Sequence, residues 1–411
     1  MDFDFNIFKN SRSFLTKLYS EEAKKLNDFE KEFRTNTRMK LHPDWKIFRY
    51  VNRKWITFGG IFDLNLTMYE TKDKITNKIK RFTYYHDEKL KELGNSKYDK
   101  DVIYFAIQCY LEGISKPNYL KEFLPSKQLV NYYINTFNLE QKIEAKNQEI
   151  LNKNITNLNA QNGHIFLEID DLFIKCKSNQ KCQKYRSREI IIHSKNNKKL
   201  NNVINIFFLK NLAEGTNENN DLNFVIKTLK QNISVINSNK KLVVNGDGAR
   251  WIRTISSNIN AKYSLDLFHI KKLINDTFGY NKFASKENKI WFKNWISNKY
   301  NLHWKTLLEL SISERNFQLF YEIYESLINE IIHKKPPELI ISNINLFYKY
   351  IIKNASGIFE ISNNFQSFTE HFVHYSFKKH IKKEQSLYCI KSLKMRIMFK
   401  NLIKGQATIF F

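Results

Sequence analysis

Lys241-Leu-Val-Val-Asn-Gly-Asp-Gly-Ala-Arg-Trp-Ile-Arg253 is the stretch whose reading decides the fold. Leu242 to Val244 is a short apolar run and reads as a buried strand. It stops at Asn245-Gly246-Asp247-Gly248, a turn signal, and Ala249, Trp251 and Ile252 then begin a helical pattern. An acidic side chain is thereby held at the carboxyl end of a strand, where open α/β sheets place their ligands. A little further on, Tyr263-Ser-Leu-Asp-Leu-Phe-His269 repeats the arrangement with an apolar segment, Asp266 and, three residues later, His269. A carboxylate at a strand end offers a divalent cation a hard oxygen ligand on a rigid support. A lone Asp-Gly after a strand is ordinarily only a turn, so what matters is whether other carboxylates converge on it.

Upstream, His164-Ile-Phe-Leu-Glu-Ile-Asp-Asp-Leu-Phe-Ile-Lys-Cys176 reads as a long strand, Glu189 to His193 as a second and Val203 to Leu209 as a third. Polar joins between them suggest an antiparallel meander. A helix over about 222–233 follows, then the Leu242 strand, a helix, and the Tyr263 strand. Strand-strand-strand-helix-strand-helix-strand is the order of a ribonuclease-H-like core, an α/β fold with a mixed five-stranded sheet. Residues 271–356, rich in Trp, Phe and Leu at helical spacing, read as an all-helical insertion, broken at Pro336-Pro337. Residues 357–411 return to the core through a last helix from about Asn364 to Lys382.

That fold places one acid on its first strand, one at the end of its fourth and one on a late helix. Here these are Asp170, Asp247 and Glu370, with Glu360 the alternative for the third. Side chains alternate along a strand, so Glu168 and Asp170 share one face and Asp171 takes the other. Three such carboxylates can hold two Mg²⁺ ions, with Mn²⁺ as a substitute, for an in-line phosphoryl displacement. Asp266 and His269 read either as site-supporting residues or as a helix cap and a core histidine. His371 and His374 share a helix face, and His193 reads as structural.

The rest of the chain bounds the partners. Lys and Arg number 67 against 41 Asp and Glu, a formal charge of +26 over 411 residues. Such an excess favours a polyanionic partner, nucleic acid before an anionic membrane surface, although an Asn-, Ile- and Lys-rich composition accounts for part of it. Residues 1–150 read as a mostly helical region with a small Gly59-Gly60 hairpin. Short helices over 102–111, 119–124 and 126–137 are compatible with a helix-turn-helix module. Residues 141–162, without aromatics, read as a solvated helix or linker, and residues 163–270 as the first part of the core. The four cysteines make no CxxC pair, so neither zinc nor a disulfide framework is expected. No apolar run approaches a membrane span, and the amino end lacks the basic region of a signal peptide. A cytoplasmic protein is expected.

Several stretches, in order, resemble the ISLre2-type insertion-sequence transposases, a family formerly catalogued as uncharacterised and similar to the Mutator-like DDE transposases. They are Thr57-Phe-Gly59, Tyr84-Tyr-His-Asp-Glu-Lys-Leu90, Ile165-Phe-Leu-Glu-Ile-Asp170, Gly246-Asp-Gly-Ala-Arg-Trp-Ile252 and Leu265-Asp-Leu-Phe-His269. The resemblance spans roughly 50 to 400. It implies DDE-type cleavage and strand transfer, Asp170, Asp247 and Glu370 as the acids, and Asp266 and His269 as the element that follows the second acid. It further implies terminal repeats and target DNA as partners, a homo-oligomer, namely a dimer, and a bacterial, nucleoid-associated setting. Arg250, Arg253, Lys271, Lys272 and His371 would contact DNA or support the site. Two departures stand out. Asp171 occupies a place where the family usually has Gly, and His371-Phe-Val-His374 is followed by no proline. Two other functions fit the same residues: a structure-specific nuclease or resolvase, and a catalytically inactive, transposase-derived DNA-binding protein.

Overall fold

The computed structural model describes residues 6–73, 78–85, 87–94, 96–114, 116–178, 181–196, 199–215, 218–234, 241–282, 284–361 and 388–411. The chain divides into two compact units, Met1–Lys142 and Ile143–Phe411.

In the first unit the helix Asn6–Glu32 packs on an antiparallel sheet of β1 (Lys46–Thr57), β2 (Gly60–Lys72) and β3 (Ile79–Thr83). Ala23 and Leu26 of the helix meet Trp55, Leu64, Leu66 and Leu90 in its core. The Gly59-Gly60 hairpin expected from the sequence is present, with Thr57 opposite Gly60. Gly59 is needed for closeness: a Cβ there would stand 2.6 Å from the Leu15 carbonyl oxygen. Helices Lys100–Glu112 and Lys127–Thr136 follow, separated by a single 3₁₀ turn, Asn118–Leu120.

The second unit is built on a mixed sheet. Its strands are β4 (His164–Ser178), β5 (Lys181–Asn196), β6 (Lys199–Asn211), β7 (Lys241–Gly246), β8 (Lys262–Leu265), the two-residue β9 (Tyr388–Cys389) and β10 (Ala407–Phe410). The order across the sheet is β10-β6-β5-β4-β7-β8, with β9 also on β4. β4, β5 and β6 form the antiparallel meander, whereas β7 runs parallel to β4 and β8 parallel to β7.

Alternation along these strands builds two different faces. On one, Ile165, Leu167, Ile169, Ile190, Ile192, Ile204, Ile206 and Phe208 pack against Val225 and Leu229 of helix Glu218–Ser234 and Ile252 and Ile255 of helix Arg250–Asn258. On the other, Leu172, Ile174, Cys176, Tyr185 and Phe207 meet Leu393 and Ile397 of helix Ile390–Ile403. Between β8 and the end of the described helices, residues 267–359 form a helical array around Trp295, Trp304, Phe320 and Phe347.

Three local expectations are revised. Of the two readings of residues 141–162 the structure has the helix, but packed and not simply solvated: helix Leu139–Ala160 buries Ile143, Asn147, Asn154 and Leu158. Asn147 exchanges two hydrogen bonds of 2.8 Å with the Thr408 backbone, and Asn154 donates to Val203 O. The Tyr263 strand stops at Leu265 rather than Phe268, because Asp266 caps the next helix. The sheet also gains a strand that the sequence did not announce, β10 beside β6.

Candidate functional site

The centre of β4 carries charge where a strand buried on both faces should be apolar. Glu168 is 1 % exposed. One carboxylate oxygen accepts from Asn245 Nδ2 at 2.8 Å and lies 3.3 Å from His193 Nε2. His193 in turn stacks on Phe166, with ring centroids 5.4 Å apart. Burying an ionised carboxylate is costly unless it is hydrogen-bonded or paired, and these two neighbours meet that need. Register explains the contact, since Glu168 is opposite Asn245 across β4 and β7.

The paired register ends there, with Asp170 two residues further along β4 and Asp247 two residues further along the chain after Asn245, just past β7. The chain is closely packed at Gly246. A Cβ on it would stand 3.3 Å from Ile169 O and 2.8 Å from Ile252 Cδ1, so no larger residue fits. β7 pairs with β4 only as far as Glu168, and β9 pairs with it only at Cys176 and Lys177. Among the described residues the edge of β4 between these pairings has no strand partner, and Asp170 stands at this opening. Asp170 and Asp247 are both half-buried.

The loop after β7 is held in place from two sides. Asp247 Oδ1 accepts from Ala249 N at 2.9 Å, and Asp247 O accepts from Tyr350 Oη at 2.9 Å. Gly248 has φ +93°, and a Cβ there would lie 2.6 Å from Tyr350 Oη. Both the backbone conformation and the space therefore require glycine. Burial, then the negative charge of Asp247, pushes the Tyr350 hydroxyl up to about 12. Tyr263 is raised by burial, then by Tyr350 and Asp247. Both phenols stay protonated, and Tyr350 is the one that donates to the Asp247 carbonyl.

Asp171 turns to the opposite face from Asp170, as alternation requires, and sits across from Arg188. Its Oδ1 is 3.4 Å from Arg188 Nε, and the guanidinium carbon lies 4.4 Å from the centre of the Trp251 ring. Burial pushes the Asp171 carboxyl up to about 6. Arg188 and Arg186 oppose the shift, and the charges of Asp170 and Asp247 add to it. Three carboxylates, two in the middle of β4 and one just past the end of β7, thus share one electrostatic neighbourhood.

The remaining predicted residues fall into three groups. Asp266, 2 % exposed, is the N-cap of helix Leu267–Phe278: its Oδ1 accepts from Phe268 N at 2.9 Å, and its own N–H donates to Gly246 O at 2.9 Å. It therefore ties the end of β8 to the end of β7. His269, one turn into that helix, is half-buried with its ring edge-on to Phe268. Arg250, Lys271 and Lys272 are exposed, and Arg253 donates to Lys353 O at 3.4 Å. Glu370, His371 and His374 lie outside the described residues, as does the predicted Asn364–Lys382 helix; Glu360 is exposed just after helix Ala355–Phe359. Among the described residues no group of three or more His, Cys, Asp or Glu is gathered as a metal site. Asp170 and Asp247 are two hard-oxygen donors of the kind Mg²⁺ takes.

Sequence reasoning missed Asn245, taken as part of a turn but in fact the strand residue that bonds Glu168. It also missed Tyr350, 103 residues from the carbonyl it holds, and the pairing of Arg188 with Asp171, because Arg188 lies one residue before the second predicted strand.

No curated protein matches this sequence. Residues 56–302, more than half of the chain, match the family model described as Uncharacterised protein family (UPF0236), and the chain belongs to that family.

Proposed function

We propose that this chain is a DNA transposase of an insertion sequence, of the ISLre2 type, working on a ribonuclease-H-like core. The observation that carries the reading is the parallel β4–β7 register, which ends at Glu168 opposite Asn245 and, followed two residues on, leads to Asp170 in the middle of β4 and Asp247 just past the end of β7. The order β6-β5-β4-β7-β8, with β5 alone antiparallel to the rest, supports a ribonuclease-H-like reading of the sheet. A formal charge of +26 supports a nucleic-acid partner.

In this reading Asp170 and Asp247 hold Mg²⁺ together with Glu370. When bound, the ions supply the Lewis acidity and charge that an in-line phosphoryl displacement needs. The chain's own residues fix the geometry. Glu168 is locked by Asn245 and His193 and sets the β4–β7 register beneath the site. Tyr350 holds the main chain at Asp247, and Asp266 holds the neighbouring strand end. Arg250, Lys271 and Lys272 meet backbone phosphates, which orient a duplex without reading its sequence. The first unit binds the terminal repeats, and two copies pair the two ends.

The test is cleavage and end joining by the full-length protein on DNA carrying the element's ends, with Mg²⁺, beside the Asp247→Asn variant. The expected result is cutting and joining to plasmid DNA by the parent, with retained binding but no cutting by the variant. Equal cutting by both would remove Asp247 from the chemistry. Cutting of branched DNA without joining would make the protein a nuclease or resolvase. Binding without cutting by either would make it a DNA-binding protein only.

A further inference from the structure

Arg188 is 5 % exposed, and its guanidinium is only partly satisfied. Nε faces Asp171 at 3.4 Å without hydrogen-bond geometry, and Trp251 covers one face of the group. Among the described residues neither Nε nor Nη1 has a hydrogen-bond partner. A guanidinium presents five N–H donors in a planar fork, and buried donors of this kind are ordinarily all taken.

The two cations beside it are not in this position. Arg186 meets Asp221 at 3.0 Å and Glu218 at 3.6 Å, and Lys210 also pairs with Asp221. Arg188 and these cations line a cavity of about 170 Å³, closed by Phe208, Phe224 and Phe411. Register places it: Phe208 is opposite Arg188, and Lys210 is opposite Arg186. The cavity therefore lies on the face of the sheet away from Asp170, one strand across from Asp171. Aromatic walls lower the local dielectric and strengthen any charge interaction inside.

We propose that this cavity is a phosphate-binding site in which the fork of Arg188 takes the anion, with Arg186 and Lys210 adding positive field. The residues that line the cavity include three cations and a single acid, Asp221, while Asp171 and Glu218 pair with its arginines from outside the lining. A guanidinium fork matches phosphate oxygens bidentately. At about 170 Å³ the cavity is well below the roughly 300–1,000 Å³ of sites that enclose a whole small molecule, so it suits one phosphate group and not an entire nucleotide. The site stands apart from the catalytic reading: it holds phosphate whether or not the chain cuts DNA. The anion is either free phosphate or a phosphodiester of a bound strand.

The test uses the full chain and two probes, inorganic phosphate and a labelled oligonucleotide without terminal phosphates. Binding of phosphate is measured by calorimetry and by the shift in Tm, binding of the oligonucleotide by anisotropy. Arg188→Met keeps the apolar stem and removes the charge, and should weaken binding about tenfold or more. Arg188→Lys keeps the charge and loses the fork, so it should bind between the two, and it serves as the readout should the methionine variant fail to fold. Asp171→Asn removes the competing carboxylate and should bind at least as well as the parent, an outcome that a merely structural role for Arg188 would not produce. Dependence on Arg188 for phosphate itself identifies a free-phosphate site; dependence for the oligonucleotide alone identifies a phosphodiester. Affinities unchanged in both Arg188 variants, or no binding of either probe, would overturn the proposal.

Discussion

The two sheets of this protein bury carboxylates for different reasons. In the first unit Asp99 is 4 % exposed and Glu30 is 1 % exposed, and each accepts from a neutral donor. Asp99 caps helix Lys100–Glu112 through Asp101 N and accepts from Trp55 Nε1, while Glu30 meets the Tyr69 hydroxyl. In the second unit the acids approach one another. The charges of Asp170 and Asp247 add to the cost of ionising Asp171, beside a Glu168 already buried in the sheet. A lone buried acid with local donors is a structural device. Acids that crowd together repel, and under the proposed function a cation would relieve that repulsion.

Asp247→Asn sharpens the contrast most. Under the proposed function it should lower cleavage by roughly a thousandfold or more, because it removes a metal-holding oxygen. With chelator present the same variant should melt no lower than the parent, since it removes a charge that Asp171 opposes. Calorimetry in chelator and a cleavage assay in Mg²⁺ measure the two halves. A marked loss of Tm without metal would place Asp247 with Asp99, as a structural acid.

Asn245→Ala probes the layer beneath. It strips Glu168 of its 2.8 Å donor inside the sheet, and a lost hydrogen bond to a buried charged group costs about 1.5–3 kcal/mol. Denaturant unfolding should show a loss of that order. A loss under about 0.5 kcal/mol, the range of ordinary surface substitutions, would mean that Asn245 does not stabilise Glu168. Gly248→Ala should cost about 1–3 kcal/mol through its positive φ alone, with Tyr350 displaced from Asp247 O as well. Unfolding beside the Tyr350→Phe variant separates the strain from the lost hydrogen bond.

How much of this was legible in the sequence depends on whether the signal was local. Strand, turn and acid are written next to one another in Val243 to Asp247, and alternation along Glu168-Ile-Asp170-Asp171 correctly sends Asp171 to the face opposite Asp170. Asn245 was hidden because Asn before Gly is a strong turn signal, and only pairing with Glu168 turns it into a buried strand residue. That helix Leu139–Ala160 is packed was hidden by its own buried face, where Asn147 and Asn154 take places that a hydrophobic stripe would fill. β10 is four residues long and is stabilised by a neighbour some two hundred positions away. Tyr350 belongs to a helix whose apolar spacing reports on its own core and gives no sign of the loop it reaches.

The smallest expected effect tests the other side of the comparison. Burial, more than any neighbouring charge, pushes the Asp99 carboxyl above its ordinary value, while the Asp101 backbone N–H, Lys89 and Trp55 pull it back. A group whose pKa is higher folded than unfolded binds more protons in the folded state. Its contribution to stability is therefore complete below the unfolded pKa and is lost as pH rises through the folded one. Asp99→Asn keeps an acceptor for the helix cap and Trp55 but cannot ionise. The stability of the variant relative to the parent should climb as pH rises from below the usual carboxylate range, and should level off once Asp99 is ionised in both states. Unfolding free energies of both proteins across that range, in the same buffer, give the difference curve. Metal should leave this curve unmoved, because Asp99 has its donors within its own unit. A curve that falls with pH would show that Asp99 is stabilised as an anion, and the first unit would then hold its acids by charge, as the second is proposed to do.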